Sequence, residues 1–134
     1  MNAIIAFVIV IAVVVFTAYF LLNSAQNSGV ISQSQIPPGT PVYHIVEGEP
    51  DYPYVYYPDN ITVPAGKIVI ISLTDNVGGC ALETIFQGLG VHGGNAVVNV
   101  PVGATKYIEI LAPTPGTYVF HCGADMYYGY IRAE

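Results

Sequence analysis

The chain has 134 residues, of which 53% are hydrophobic and only 9% charged, with a formal net charge of −6. That length holds one domain, and disorder is excluded, because a disordered chain combines low hydrophobicity with high charge. Its three basic residues, Lys67, Lys106 and Arg132, cannot neutralise the row of phosphates that tight binding requires, so nucleic acid is not a partner.

Residues 3–22, AIIAFVIVIAVVVFTAYFLL, form an uncharged apolar run in which Thr17 is the one clearly polar member. Twenty such residues suffice to cross a bilayer as a helix, and the expectation is a retained transmembrane anchor in contact with membrane lipid. A cleaved signal peptide fits less well. The run is longer than such a segment needs, no basic stretch precedes it, and Asn23 stands where a cleavage site wants a small residue. Neither flank carries Lys or Arg, so only the terminal amine argues for a cytoplasmic N-terminus. The expected location is the cell membrane, single-pass, with the C-terminal domain extracytoplasmic. A pilin-like assembly helix is a further reading of the same run.

Residues 23–40, NSAQNSGVISQSQIPPGT, are rich in Ser, Asn, Gln, Gly and Pro and read as a flexible linker. The domain then runs over residues 41–134 and is β throughout. Residues 67–73 (KIVIISL), 96–100, 106–111 and 117–120 are short apolar runs rich in β-branched or aromatic residues. Turns at 64–66 (PAG), 101–103 (PVG) and 113–116 (PTPG) each lead into a strand. Short strands at such intervals predict a sandwich or small barrel. No Ser-His-Asp set, carboxylate pair or phosphate loop is present in the pattern, so no catalytic residues are assigned.

Three stretches carry a resemblance. Residues 57–66 (YPDNITVPAG) place an aromatic and a proline before an apolar strand and a Pro-x-Gly turn. Residues 73–80 (LTDNVGGC) run from a strand into a loop, and residues 115–122 (PGTYVFHC), continued to residue 131, form a final hairpin. From about residue 43 to the end the chain resembles a cupredoxin, the Greek-key sandwich of blue copper proteins and of haem-copper oxidase subunit II. The resemblance implies that the loop ending at Cys80 and the last hairpin deliver copper ligands.

The ligands themselves depart from the family pattern. A blue copper site needs two imidazoles, a thiolate and usually a thioether. Cys80 falls where the first histidine is expected, Cys122 takes the place of the ligand cysteine, and Met126 stands where the second histidine is expected. Tyr118 holds the place of the second thiolate of a dinuclear centre, and Gly129 stands where the axial methionine would follow. A dinuclear centre is therefore excluded, and a standard blue site is not expected. Two readings remain open. Cys80, Cys122 and Met126 form a soft, sulfur-only set for Cu(I), or Cys80 and Cys122 form a disulfide. Such a bridge would close a loop of roughly forty residues and contribute about 3–4 kcal/mol. The cofactor is accordingly copper or none.

The remaining candidates have plainer readings. Strand alternation points His121 away from Tyr118, Phe120 and Cys122, making it a surface or interface residue rather than a ligand. His92 reads as a solvated loop residue, and His44 as structural. Tyr52, Tyr54, Tyr56 and Tyr57 could cover a partner surface, although strand edge and core is the default. Asn60 opens a glycosylation sequon.

Anchor, linker and cupredoxin together resemble subunit II of a terminal oxidase of the quinol type, without the dinuclear copper centre. That resemblance implies a structural, non-catalytic subunit whose partners are other integral-membrane subunits of a haem-copper oxidase. The alternatives are a free-standing anchored cupredoxin that handles Cu(I) or passes electrons, and an external pilin-like assembly protein. The scarcity of ionisable groups would suit an acidic medium.

Overall fold

The computed structural model describes residues 3–24, 29–50 and 52–134, with side chains at all of these except 20–24, 52–55, 80 and 81. The expected partner surface of Tyr52 and Tyr54 therefore lies outside the described side chains.

The apolar run forms one helix, α1 (Ala3–Ser24), as unbranched and β-branched apolar residues with no internal Gly or Pro permit. Its described side chains, residues 3–19, are exposed, and Thr17 returns its hydroxyl proton to the carbonyls of Val13 and Val14. Among the described residues no helix is long and apolar enough to cross a membrane. The described side chains of α1 stop at Tyr19, whereas the apolar run of the sequence continues to Leu22.

Ten strands follow among the described residues: β1 (Val30–Ile31), β2 (Val42–Glu49), β3 (Tyr52–Tyr57), β4 (Asn60–Val63), β5 (Ile68–Asp75), β6 (Glu83–Phe86), β7 (Ala96–Asn99), β8 (Thr105–Leu111), β9 (Gly116–Cys122) and β10 (Tyr128–Ala133). They make two five-stranded sheets, ordered β1-β8-β5-β2-β3 and β4-β10-β9-β6-β7. Most neighbours are antiparallel, but β2 pairs with β5 and β4 with β10 in parallel, so the chain crosses between the sheets as a Greek key requires. The expected sandwich is thus what the chain forms.

Val30 and Ile31, placed in the flexible linker, pair with Ile108 and Tyr107 of β8. The outer edge of β8 offers unpaired backbone groups, and two residues of chain suffice to satisfy them. The sheet therefore begins before residue 41.

The core lies between the sheets. Ile45, Val69, Ile71, Leu73, Ile108 and Ile110 from the first sheet meet Phe86, Val98, Phe120 and Ile131 from the second. Phe120 is the hub, edge-on to Tyr56 at 4.8 Å between ring centroids and stacked on Phe86 at 5.4 Å. Its ring covers Gly129 on β10, where a Cβ would run into the ring tip. This explains the glycine at a position where the family resemblance looks for methionine: the aromatic ring fills that space.

Candidate functional site

The loops that follow β5 and β9 meet at one end of the sandwich. β5 ends at Asp75, and a tight turn leads into a 3₁₀ turn at Gly79–Leu82 that holds Cys80 and lies beside β9. β9 ends at Cys122, which is opposite Thr84 of β6 in the antiparallel register. The backbone thus brings both cysteines to the same end.

Cys122 is fully buried and is disulfide-bonded. The side chain of Cys80 lies outside the described residues, so the pairing expected of the two cysteines, and the sulfur set of Cys80, Cys122 and Met126, are taken up below as proposals. The turn after Cys122 is tight. Asp125 N–H donates to the Cys122 carbonyl at 3.0 Å, Asp125 has φ 57°, and Met126 N–H donates to Cys122 Sγ at 3.3 Å. The sulfur that this N–H meets belongs to the disulfide-bonded Cys122. Met126 itself is 64% exposed, so its thioether stands at the protein surface beside the buried Cys122.

The histidines stand apart from this sulfur pair. His121 does lie on the opposite face of β9 from Phe120, but it is buried, not a surface residue as alternation alone suggested. Its Nδ1 lies 2.8 Å from the Cys122 carbonyl and 2.7 Å from Asp125 Oδ1, its Nε2 is 2.8 Å from Gln87 Nε2, and the Tyr128 ring covers it at 5.9 Å. Both ring nitrogens are thus engaged, Nδ1 with the Cys122 carbonyl and Asp125 and Nε2 with the Gln87 side chain. Neither nitrogen is left for a metal. His92 is exposed in the glycine turn between Gly90 and Gly94, and His44 is exposed on β2. Among the described residues, no group of three or more His, Cys, Asp and Glu side chains is placed to hold a metal. Tyr118, which replaces the second thiolate of a dinuclear centre, instead donates its phenol proton to the Thr114 carbonyl at 2.8 Å and closes the turn before β9.

A second polar group, which sequence reasoning missed, sits in the interior behind this end. Glu47 on β2 is opposite Asp75 on β5, and both are buried. Thr84 donates its hydroxyl proton to Glu47 Oε1 at 2.8 Å, and the Tyr56 hydroxyl lies 2.9 Å from Thr84 Oγ1. The bond from Thr84 to Glu47 crosses from one sheet to the other. Asp75 Oδ1 accepts from the N–H groups of Val77 and Gly78, both at 2.8 Å, while Glu47 Oε2 and Asp75 Oδ2 are buried with no hydrogen-bond partner. Burial, and then the nearby Asp75 carboxyl, push Glu47 up to about 8 from the ordinary 4.5, against the lowering effect of the bond from Thr84. Burial likewise raises Tyr56 well above the usual phenol range. The signal for Glu47 was present in the sequence: in VYHIVEGE it falls two residues after the inward-facing Ile45.

With the geometry established, likeness to known proteins can be judged. The sequence of no curated protein matches this chain. Among solved structures, the NMR structure of a copper binding protein in its apo form is similar at a TM-score of 0.59 and 22% identity, covering 75% of this chain and 93% of that one. The metal binding domain of the Streptococcus pneumoniae D39 Cu(I) exporting P-type ATPase CopA, solved with Cu(I), gives 0.59 and 19%, covering 75% and 91%. A chain of a heme-copper terminal oxidase dimer gives 0.50 and 18%, but covers 94% of this chain and 96% of its own length. At these identities the likeness speaks for the fold alone. The family model of the cupredoxin-like domain matches residues 8–131, nearly the whole chain, and by that match, together with the two-sheet sandwich, this chain belongs to the cupredoxin-like domain family.

Proposed function

We propose that this protein is a membrane-anchored cupredoxin that binds Cu(I) through Cys80, Cys122 and Met126 when its cysteines are reduced. The observation that carries the reading is the turn at the end of β9. It holds the Cys122 and Met126 positions together, directs the Met126 N–H at Cys122 Sγ, and turns His121 into a separate hydrogen-bonded pocket. A thiolate with a thioether selects Cu(I) over harder ions. The similar folds of a copper binding protein and of a Cu(I) exporter's metal binding domain support the same reading.

The disulfide form of Cys122 is then the resting, metal-free form. A thiol reductant of the surroundings supplies two electrons and two protons, the S–S bond breaks, and two thiols result. Binding releases the thiol protons, so affinity rises with pH until the thiols are ionised. Bound copper supplies no chemistry that this chain's residues complete, which fits a carrier rather than an enzyme. The exposed Met126 would be the point of entry and exit.

The test is Cu(I) titration of the reduced full chain in detergent, against a competing chromogenic chelator. Stoichiometric, colourless Cu(I) is expected, lost in Cys122→Ser and kept in His121→Ala. A blue protein that bleaches on His121→Ala, or unchanged Cu(I) binding in Cys122→Ser, would overturn the assignment.

A second reading is favoured by one observation, the match to the oxidase chain over 94% of this chain, which reaches through α1 where the copper-protein matches cover 75%. On that reading the protein is a subunit-II-like, structural component of a haem-copper oxidase. In either case residues 3–22 anchor the domain outside the cell membrane. Added protease should trim the domain on intact cells, and on the second reading the chain should co-purify with haem after mild detergent extraction. Cleavage only after lysis would refute the topology, and a haem-free preparation would refute the oxidase role.

A further inference from the structure

Asn60 opens β4 immediately after the bend at Pro58 and Asp59. Along this strand the side chains alternate: Ile61 and Val63 are buried in the core, while Asn60 and Thr62 are exposed. Residues two apart on a strand share a face, so the Asn60 amide and the Thr62 hydroxyl stand on the same outer surface. They are the two ends of the Asn60-Ile61-Thr62 motif, and no other asparagine of the chain has Ser or Thr two positions on. The fold makes no use of this amide. Among the described residues the Asn60 side chain has no hydrogen bond, whereas that of Asn95 accepts from the Gly88 N–H at 2.9 Å. The backbone beside it is held firmly, with Tyr130 N–H donating to the Asp59 carbonyl at 2.7 Å.

The surroundings of Asn60 are open on one side and aromatic on the other. β4 is the outer strand of the second sheet and pairs there with β10 alone. In that register Tyr130 stands beside Asn60 and Arg132 beside Thr62, and both Tyr128 and Tyr130 are about half exposed. A free strand edge offers backbone groups to any passing chain, and proteins blunt such edges with charge, proline or a bulge. β4 reads NITV, which has no charge and no proline, and its pairing with β10 runs without a bulge. A bulky hydrated group at Asn60 would supply the protection that the strand itself lacks.

We propose that Asn60 carries an N-linked glycan that caps the open edge of β4. The donor is a lipid-linked oligosaccharide phosphate, and the catalyst is a membrane transferase of the surroundings. The bond from Asn60 Nδ2 to the anomeric carbon forms, and the bond from that carbon to the lipid phosphate oxygen breaks. The phosphate leaves with the electron pair, the amide gives up one proton to solvent, and nothing is oxidised or reduced. Thr62 supplies the hydroxyl that the Asn-x-Ser/Thr motif requires. The inference rests on the extracytoplasmic placement in the reading above, and not on copper.

The test is mass spectrometry of the full chain, extracted in mild detergent from the cells that make it. The intact mass should exceed that of the sequence by a series of sugar units, and fragment spectra should place them on Asn60. Asn60→Gln and Thr62→Ala, expressed in the same cells, should lose the whole increment, while Thr62→Ser should keep it. On heating, light scattering should begin at a lower temperature in Asn60→Gln than in the parent or in Thr62→Ser, because the bare edge is free to pair. An unmodified Asn60, or an increment that survives Asn60→Gln, overturns the site, and an equal onset of scattering overturns the cap. The protease assay separates this from the topology. A domain trimmed on intact cells with Asn60 unmodified refutes the glycan alone, whereas a domain cut only after lysis refutes the placement on which it rests.

Discussion

Raising the pH from about 5 to about 8 should destabilise this protein by several kcal/mol, with most of the loss traceable to Glu47. The folded chain holds the Glu47 proton until about pH 8, whereas the unfolded chain releases it near the ordinary 4.5. The folded value is raised, so the stabilising contribution is complete below about pH 4.5, declines as the pH rises, and is gone once the pH has passed through about 8. At about 1.4 kcal/mol per pH unit, that window corresponds to something on the order of 5 kcal/mol. Glu47 is 2% exposed, so solvent screening does little to reduce it. The measurement is chemical denaturation of the full chain in detergent at several pH values. Glu47→Gln should flatten the profile and be more stable than the parent at pH 8, because a neutral amide can still accept from Thr84. Equal pH dependence in parent and variant would show that Glu47 ionises in the folded state as readily as in water. The direction agrees with the sparse surface charge: both favour this chain in acid.

The second large effect is expected at the aromatic hub. Phe120→Ala removes a fully buried ring that contacts Tyr56 and Phe86, and should cost about 3–5 kcal/mol through lost transfer energy and a cavity. Gly129→Ala should cost about 1–3 kcal/mol for the opposite reason, since the new methyl meets the Phe120 ring and both strands must shift. The two changes should not add. Once Phe120 is alanine the space above residue 129 is open, and the extra methyl should be tolerated or even fill part of the cavity. Denaturant midpoints of the two single variants and the double variant measure this. Strict additivity would mean that the Gly129 position is constrained by its backbone rather than by the ring.

Much of the fold was legible because its signals are local. The apolar run that became α1 has no charge and no breaker, and β5, β8 and β9 each read as β-branched or aromatic runs between turn residues. The departure of Cys80 and Met126 from the blue copper pattern, and of Tyr118 from the dinuclear one, is an expectation that the family resemblance carries. β1 was not visible: two residues, Val30 and Ile31, in a polar stretch show no period, and they are a strand only because β8 has an open edge. The burial of His121 was missed for a related reason. Alternation gives the face of a strand but not what covers that face, and Gln87, Asp125 and Tyr128 come to it from other positions in the chain.

What the sequence by itself determined is the class of the fold. A β-rich sandwich follows from turn spacing and strand composition, which are properties of neighbours along the chain, and the resemblance of three stretches pointed to the cupredoxin-like family that the family match shows. What only the tertiary structure decided is the setting of the polar groups that remain. Glu47 lies 28 positions from Asp75 and 37 from Thr84, and whether a carboxyl at that distance is solvated, paired or forced to keep its proton depends on the register of β2 against β5 and on the closure of one sheet over the other. Charge in a protein is governed by the dielectric and the partners around it, and those are assembled by packing between segments that the sequence keeps far apart.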